Sequence, residues 1–282
     1  MSDDPKLSNS KPLVSVIIPT FNSDRFLEKC LSSLRRQTYQ AMELIVVDDG
    51  STDRTVEIAE RFGCRVIRNL RSGRTEAKNR GVFESRGQYF FFADSDMEFT
   101  PRVVAECVET MREDSKIGGV VVPERSVGDN FWVKVRDFER SFYTGSPVES
   151  ARFFPAHLVK EVGGFEENLV FFEESTLPYK IQTSGFKVAA RICSVIFHHE
   201  ENFSLAHWLQ KKFRYGETVQ AYKRRYGGYF GEQMSFASRL SLFAADWRRF
   251  WSKPTLAIGV IFLKSQEYLA VTFGSVYSRL ER

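Results

Sequence analysis

The feature that most constrains this chain is an apolar segment that ends in two carboxylates. Phe90, Phe91 and Phe92 are typical of a strand buried on both faces, and the run is too short for a helix of its own. Asp94 and Asp96 follow, and side chains at i and i+2 point to the same side of an extended chain. Two carboxylates buried together require a cation, and oxygen ligands suit magnesium or manganese. The motif predicts a metal-binding strand end, although by itself it is also typical of a polar turn.

Strands and helices alternate over the first hundred residues. Apolar runs predict strands at 14–19, 43–47, 64–68 and 88–93, and helical spacing predicts helices at 24–36, 54–62 and 74–86. This alternation favours an α/β fold with a mainly parallel, doubly wound sheet, in which ligands bind at the carboxyl ends of the strands. Polar residues follow three of these strands, at 19–22, 48–53 and 94–96. We therefore expect the three segments to meet at one edge of the sheet.

Asp48 and Asp49 allow two interpretations. Acidic residues, Gly, Ser and Thr are what any turn from a strand to a helix prefers. Alternatively, a carboxylate here accepts hydrogen bonds from a nucleobase N–H or a ribose hydroxyl. The chain contains neither G-x-G-x-x-G nor G-x-x-x-x-G-K-[ST], so it lacks the usual glycine-rich phosphate cradles. A metal held by Asp94 and Asp96 would have to bind the phosphates instead.

Residues 13–200 resemble a family 2 glycosyltransferase of the GT-A fold, a Rossmann-like α/β architecture. The resemblance is carried, in order, by segments 14–22 (VSVIIPTFN), 45–53 (IVVDDGSTD) and 77–81 (AKNRG), and by the D-x-D pair at 94 and 96. It implies a nucleotide-diphosphate sugar as donor and Mn²⁺ or Mg²⁺ as cofactor. The positions that it assigns to the donor are Pro19, Thr20, Phe21, Asn22, Asp48, Asp49, Lys78, Asp94 and Ser95. Asp96 and Asp94 are implied to reach the metal. Lys78 stands where the family commonly has Arg, which keeps a cation but loses a bidentate grip.

The resemblance also implies a general base and a further metal ligand. Glu174 occupies the place of the family's catalytic Asp, and the adjacent Glu173 stays an alternative, while a solvated acidic turn explains the local sequence equally well. The family often supplies a histidine after a later strand, here predicted at 192–197. Either His198 or His199 fits, and strand alternation lets only one of them face the site.

The basic charge of the chain is concentrated near its C-terminus. Residues 205–253 hold ten Lys or Arg against three Asp or Glu, whereas the 282-residue chain has a net charge of only +4. Helical patterns at 205–226, 236–251 and 255–277 combine these cations with Trp, Tyr and Phe, which favours membrane association. The alternative is a bundle packed on the catalytic domain with a solvated basic face. Lys264 and Glu267, three residues apart, are expected to pair or to mark the exposed face of the last helix.

These expectations combine into one hypothesis. Residues 1–12 are predicted to be a disordered lead-in without a signal peptide, 13–203 the GT-A domain, and 204–282 amphipathic and apolar membrane-associating helices. The resemblance implies an inverting, metal-dependent transfer, with mannose from GDP-mannose as the best candidate and UDP-sugars as the alternative. The expected acceptor is a lipid-linked glycan at the cytoplasmic face of the cell membrane, or polyprenyl phosphate itself. A nucleotide-sugar-binding membrane protein without turnover is the competing class, and nucleic acid is not an expected partner.

Overall fold

The structure is a computed structural model that describes residues 11–280 except Pro147, Asn168, residues 170–172, Asn202 and Ser235. For Glu173 and for residues 228–234, 236 and 237 only the backbone is described. The predicted lead-in, residues 1–12, lies outside this part of the chain except for its last two residues.

The strands are β1 (Val14–Thr20), β2 (Met42–Asp48), β3 (Arg65–Arg68), β4 (Tyr89–Phe92), β5 (Met97–Phe99), β6 (Val120–Val121), β7 (Glu124–Val127), β8 (Ala151–Pro155), β9 (Ala190–Arg191) and β10 (Ile196–His199). The helices are α1 (Asp24–Arg35), α2 (Thr55–Arg61), α3 (Arg74–Glu84), α4 (Val103–Glu113), α5 (Phe131–Arg140), α6 (Ala156–Glu161), α7 (Glu173–Thr183), α8 (Leu205–Met234), α9 (Phe236–Ala245), α10 (Trp247–Trp251) and α11 (Pro254–Leu280).

The main sheet is mixed and mainly parallel, as the sequence predicts. Its order is β3-β2-β1-β4-β8-β6-β9, and the first four strands are mutually parallel. Strand β8 runs antiparallel to both of its neighbours, β4 and β6. The β-branched and aromatic runs form these strands because both of their faces are covered by helices or by the rest of the core.

Alternate residues of β1 pack into two separate cores, one on each face of the sheet. Val16 and Ile18 lie in the core formed with α1 and α4, whereas Ile17 packs with α3, α6 and α7. These side chains are fully buried, and each contributes about 1.5–3 kcal/mol from removal of apolar surface from water. The sheet is thereby fixed between two helix layers, which holds its polar carboxyl edge in place.

A second, three-stranded sheet has the order β5-β10-β7. One strand predicted from the sequence differs here in its bounds. The strand expected at 192–197 is instead β10, which begins at Ile196 and contains both histidines. The preceding residues cannot continue this strand, because the N–H groups of Cys193 and Ser194 donate to the Glu106 side chain. The chain crosses there from the main sheet, at β9, to the second sheet.

The C-terminal helices pack on one another and on α5 of the preceding α/β region. Ala257, Val260 and Leu263 of α11 share a core with Val135 and Phe138 of α5. The helix predicted at 236–251 is two helices, because Asp246 interrupts it and caps the start of α10. Helix α8 continues beyond its predicted end, with a kink at Tyr226. The packed bundle that the sequence left as an alternative is therefore present for a large part of these helices.

Two glycines set the distance between α8 and α11. A Cβ added at Gly216 would collide with the backbone of Val271, and one added at Gly274 would collide with the backbone of Phe213. The helices run in the same direction at this crossing, since Lys212 meets Glu267 and Gln220 meets Ser275 further along both. Backbone contact at this point holds α11 close enough for its inner face to reach the site described next.

Candidate active site

The three polar strand ends predicted from the sequence meet at one edge of the sheet. β1 lies between β2 and β4, Thr20 pairs in register with Asp48, and the N–H of Asp49 donates to the carbonyl of Thr20 at 2.8 Å. These segments line a cavity of about 800 Å³, which also reaches α5, α8 and α11. That volume falls within the range of small-molecule sites, about 300–1,000 Å³.

The segment after β1 contributes three of its four predicted residues to the cavity wall. Pro19, Thr20 and Phe21 line it, and Phe21 is 50% exposed there. Asn22 does not line it. The Asn22 side chain accepts a hydrogen bond from the Thr52 N–H at 2.9 Å, and its φ of 48° places it in the left-handed region that Asn tolerates in turns. Asn22 therefore links the loop after β1 to the loop after β2.

Asp48 and Asp49 have different surroundings. Asp48 is buried behind the wall and accepts from the Ser51 N–H at 3.1 Å, which matches the turn interpretation. Asp49 lines the cavity, and its two oxygens accept from the N–H groups of Ser72 and Gly73 at 2.8 and 2.9 Å. Asp49 therefore anchors the loop before α3 while one edge of the carboxylate faces the cavity.

Two arginines lie beside Asp94 and neutralise it, which the sequence analysis did not anticipate. Asp94 is buried, with Arg74 Nη1 3.5 Å from Oδ1 and Arg152 Nη1 3.3 Å from Oδ2. Burial would raise the pKa of Asp94, but the charges of these arginines hold it below its usual value. Neither arginine was singled out from the sequence. Arg152 could have been recognised in the sequence, because it is a charged residue within the apolar strand β8.

Asp96 lies at the open side of the motif and faces His198. The Nε2 atom of His198 is 3.0 Å from Asp96 Oδ1, and its Nδ1 atom is 3.7 Å from Glu124 Oε2. Burial would lower the pKa of His198, but its contacts with Asp96 and Glu124 raise it to about 9. Glu124, a residue that the sequence analysis missed, also pairs with Arg152 and lies 3.0 Å from Arg140.

A carboxylate oxygen and an imidazole nitrogen at this distance fit a divalent metal as two of its ligands. Within the described residues no group of three or more His, Cys, Asp or Glu side chains forms a complete metal site. The remaining ligands would have to come from substrate oxygens and water, as is usual for Mg²⁺ sites at phosphates.

His199 points to a different partner. Its Nε2 atom lies 3.0 Å from Glu98 Oε2, and its ring is stacked on Phe26 with centroids 6.3 Å apart. Both histidines touch the cavity, but only the His198 side chain contacts the Asp96 carboxylate. The antiparallel register of β10 with β5, in which His198 pairs with Met97, produces this difference.

Glu174 lies on the wall of the same cavity as Asp96 and His198, and two cations hold it. Arg74 Nη2 is 2.6 Å and Lys78 Nζ 3.2 Å from Glu174 Oε1. Burial would raise the pKa of Glu174, but Lys78 and Arg74 hold it well below its usual range. Lys78 itself is 1% exposed and lies behind the cavity wall. The side chain of Glu173, the alternative base, lies outside the described part of the chain.

The end of the cavity opposite the strand ends is lined by charged residues of the helices. Lys264 of α11 is 2.5 Å from both Glu139 of α5 and Glu267, and Glu267 is 2.5 Å from Lys212 of α8. The expected pairing of Lys264 with Glu267 is confirmed, and the pair is mostly enclosed and lines the cavity rather than lying on the exposed face. Lys211, on the basic face of α8, also lines the cavity. Part of the basic surface predicted to meet a membrane thus faces the cavity.

Comparison with known proteins shows the family to which the chain belongs. Residues 15–164 match glycosyl transferase family 2. Over 90 residues the chain is 43% identical to "Uncharacterized glycosyltransferase EpsJ" of Bacillus subtilis, covering 30% of this chain and 26% of the relative. The chain is matched over only 26% to 45% of the length of the first curated relatives.

Solved structures show the same fold. The mannosyltransferase PcManGT of Pyrobaculum calidifontis, solved with GDP-Man and Mn²⁺, superposes with a TM-score of 0.62 at 19% identity, covering 96% of this chain and 81% of that one. S. aureus TarS 1-349, solved with UDP-GlcNAc, gives a TM-score of 0.53 at 17% identity, covering 96% and 92%.

Proposed function

Because the chain belongs to glycosyl transferase family 2, we propose that it transfers a sugar from a nucleotide-diphosphate sugar to a lipid-linked acceptor at the cytoplasmic face of a membrane. One observation carries this proposal. The strand-end residues suited to a donor and the helix residues suited to an acceptor line a single cavity, with Asp96 and Glu174 both on its wall. Two substrates bound in one cavity can be aligned for direct transfer.

GDP-mannose is the candidate donor, and a UDP-sugar is the alternative. PcManGT was solved with GDP-Man, whereas TarS was solved with UDP-GlcNAc, and both share this fold. Phe21 offers an exposed aromatic face near Asp49, and the Arg71 guanidinium lies 5.6 Å from its ring centroid. This arrangement suits a flat nucleobase, with Asp49 available to a base or ribose donor group.

Asp96 and His198 would hold the divalent metal, Mn²⁺ or Mg²⁺. When bound, the metal supplies positive charge that offsets the negative charge on the departing nucleoside diphosphate. Asp94 would act differently, by holding Arg74 and Arg152 at the cavity wall through its two oxygens. Arg74 also reaches Glu174, so it lies between the donor side and the acceptor side of the cavity.

Glu174 is the proposed base for an acceptor hydroxyl. The acceptor oxygen forms a bond to C1 of the sugar, the bond from C1 to the phosphate oxygen breaks, and Glu174 takes the acceptor proton, so the anomeric configuration inverts. A carboxylate paired with Lys78 and Arg74 is a weak base. A bound diphosphate would compete for Arg74, which lines the cavity, and Glu174 would then become more basic.

The same ion pairs favour a second candidate, direct transfer to polyprenyl phosphate. A phosphate acceptor is already ionised and needs no base, so the low pKa of Glu174 is no obstacle to it. In that case Glu174 positions Arg74 and Lys78. The choice between the two acceptors depends on how much turnover is lost when Glu174 is made neutral.

The proposal is tested with a panel of nucleotide sugars, manganese and a lipid extract, with release of nucleoside diphosphate as the readout. We expect release from one donor, strongest for GDP-mannose, and a labelled product that extracts with lipid. Product analysis distinguishes a lengthened glycan from a sugar on polyprenyl phosphate. Donor binding without release would identify a nucleotide-sugar-binding protein and overturn the enzymatic proposal.

A further inference from the structure

Helix α11 has two opposite faces with different surroundings. Its inner face, which includes Val260, Leu263 and Val271, is buried against α5 and α8. Its outer face carries large apolar side chains at intervals of three and four residues, and they are between 43% and 81% exposed. These residues are Ile258, Ile261, Phe262, Leu269, Phe273, Val276, Tyr277 and Leu280, and we call them the outer stripe. Positions spaced in this way lie along one side of a helix.

The length and composition of α11 would allow it to cross a membrane, but its contacts do not suit that arrangement. Lys264 and Glu267 lie in the middle of the helix and pair with Glu139 of α5 and Lys212 of α8. Tyr268 and Val271 beside them line the cavity. If this midpoint lay in the hydrocarbon core, the cavity and the charged residues of α5 and α8 that pair with it would enter the membrane as well, which is costly.

The charges and aromatic residues around the outer stripe indicate what covers it. Trp247 and Trp251 of α10 are 59% and 48% exposed, next to the start of α11. Over the described residues 246–280, the exposed charged side chains are one anion, Asp246, which pairs with Arg249, and four cations: Arg248, Arg249, Lys253 and Arg279. A second copy of the chain would bring like charges together, whereas an anionic lipid surface complements them. Tryptophan is also enriched where protein meets the membrane interface.

We propose that α11 lies in the plane of an anionic membrane surface, with the outer stripe inserted among the lipids and the inner face forming the acceptor wall of the cavity. This inference rests on the proposed function and specifies how the membrane is met. A helix with its side chains is about 10–12 Å across, so only that thickness separates the lipid from Lys264 and Val271. A lipid-linked acceptor would need to pass only around α11 to enter the cavity.

Spin labels along the outer stripe test the orientation. Labels are attached through Ile258→Cys, Leu269→Cys or Leu280→Cys in a background carrying Cys64→Ser and Cys193→Ser, on vesicles of phosphatidylcholine with phosphatidylglycerol. For the in-plane helix we expect all three labels at one shallow depth, about 5–10 Å into the interface. A spanning helix would put the label at residue 269 near the centre of the roughly 30 Å hydrocarbon core and the other two near its surfaces. Either that profile or three labels that stay in water would overturn the inference.

Vesicle flotation of the double variant Leu269→Asp/Phe273→Asp tests the occupant. We expect its lipid partition to fall at least about tenfold, because two apolar anchors are lost and two anions face anionic lipid. The matched control is Phe83→Asp, which changes an equally exposed phenylalanine on α3 and should leave partition unchanged. If the double variant loses self-association in sedimentation and keeps its lipid partition, the stripe binds a second copy and the inference is wrong.

Failure of the inference is separable from failure of the proposed function. Neither Leu269 nor Phe273 lines the cavity, so the double variant should still release nucleoside diphosphate at the wild-type rate when the lipid extract is supplied in detergent instead of vesicles. A protein that gives the shallow label depths but turns over no donor would contradict the proposed function alone. A protein that turns over donor but ignores vesicles would contradict the inference alone.

Discussion

His198 Nε2 and Asp96 Oδ1 lie 3.0 Å apart although their residues are about a hundred positions apart in the chain. β5 begins directly after Asp96 and pairs antiparallel with β10, which carries His198. The backbone reinforces this contact, because the N–H of His199 donates to the carbonyl of Asp96 at 2.8 Å. The pairing of two short strands thus completes the proposed metal-binding pair.

The first prediction concerns metal-dependent binding. Asp96→Asn and His198→Ala should each weaken the binding of GDP or UDP in the presence of Mn²⁺ by about 10- to 100-fold, because each removes a metal ligand. Calorimetry with and without EDTA measures this. His157→Ala, which changes an exposed histidine on α6, is the control. Unchanged affinity in both variants, together with no effect of EDTA, would contradict the metal site.

The second prediction distinguishes the two acceptor classes. If Glu174 is a general base, Glu174→Gln should lower kcat by about 10²–10⁴-fold. Donor affinity should be kept or increased, because Arg74 and Lys78 are freed from an ion pair. With polyprenyl phosphate as acceptor, we expect less than about a tenfold loss of kcat, since no proton is transferred. Single-turnover kinetics with each acceptor provides the measurement.

The third prediction concerns the buried ion pairs between α5, α8 and α11. Lys264→Met leaves Glu139 and Glu267 partly uncompensated and should lower the free energy of unfolding by about 3–5 kcal/mol. Lys253→Met changes an exposed lysine just before α11 and should stay within about 0.5 kcal/mol of wild type. Urea unfolding compares them. Equal losses in both variants would show that these pairs contribute nothing specific to stability.

The fourth prediction is a pH dependence of the same cluster. Burial raises the pKa of Glu267, but Lys212 and Lys264 outweigh it and hold the pKa far below the usual value. The resulting stability is present above the unfolded pKa of about 4.3 and is lost as the pH falls through the folded value. Between about pH 5 and pH 3 the Tm of wild type should fall more steeply than that of Glu267→Gln. Parallel curves would contradict this.

The fifth prediction uses the helix crossing. Gly216→Ala should destabilise the protein by about 1–3 kcal/mol, because its Cβ would meet the backbone of α11. Gly227→Ala is the matched control in the same helix. No atom lies within 4 Å of its added Cβ, so it should be neutral or stabilise by about 0.5–1 kcal/mol. If both changes have the same effect, backbone contact does not set the helix separation.

The sequence by itself determined the strands and helices that depend on local residue patterns. Apolar periodicity defined most of the strands and helices of the first half, because burial on one or two faces requires that pattern. It also determined that residues 19–22, 48–53 and 94–96 meet, because parallel neighbouring strands bring their carboxyl ends to one edge. The D-x-D pair could be identified as a candidate site for the same reason.

Only the tertiary structure decided which partners the charged residues have. Arg74 and Arg152 neutralise Asp94, and Arg74 also binds Glu174, through contacts between residues far apart in the chain that no local pattern encodes. The strand register of β10 brought the side chain of His198, and not that of His199, to the Asp96 carboxylate. The sequence showed that the C-terminal helices combine basic and apolar residues. It did not show which face of each helix would be covered. Packing against α5 and α8 decided that, because burial of one side of α11 leaves the outer stripe to whatever surrounds the protein.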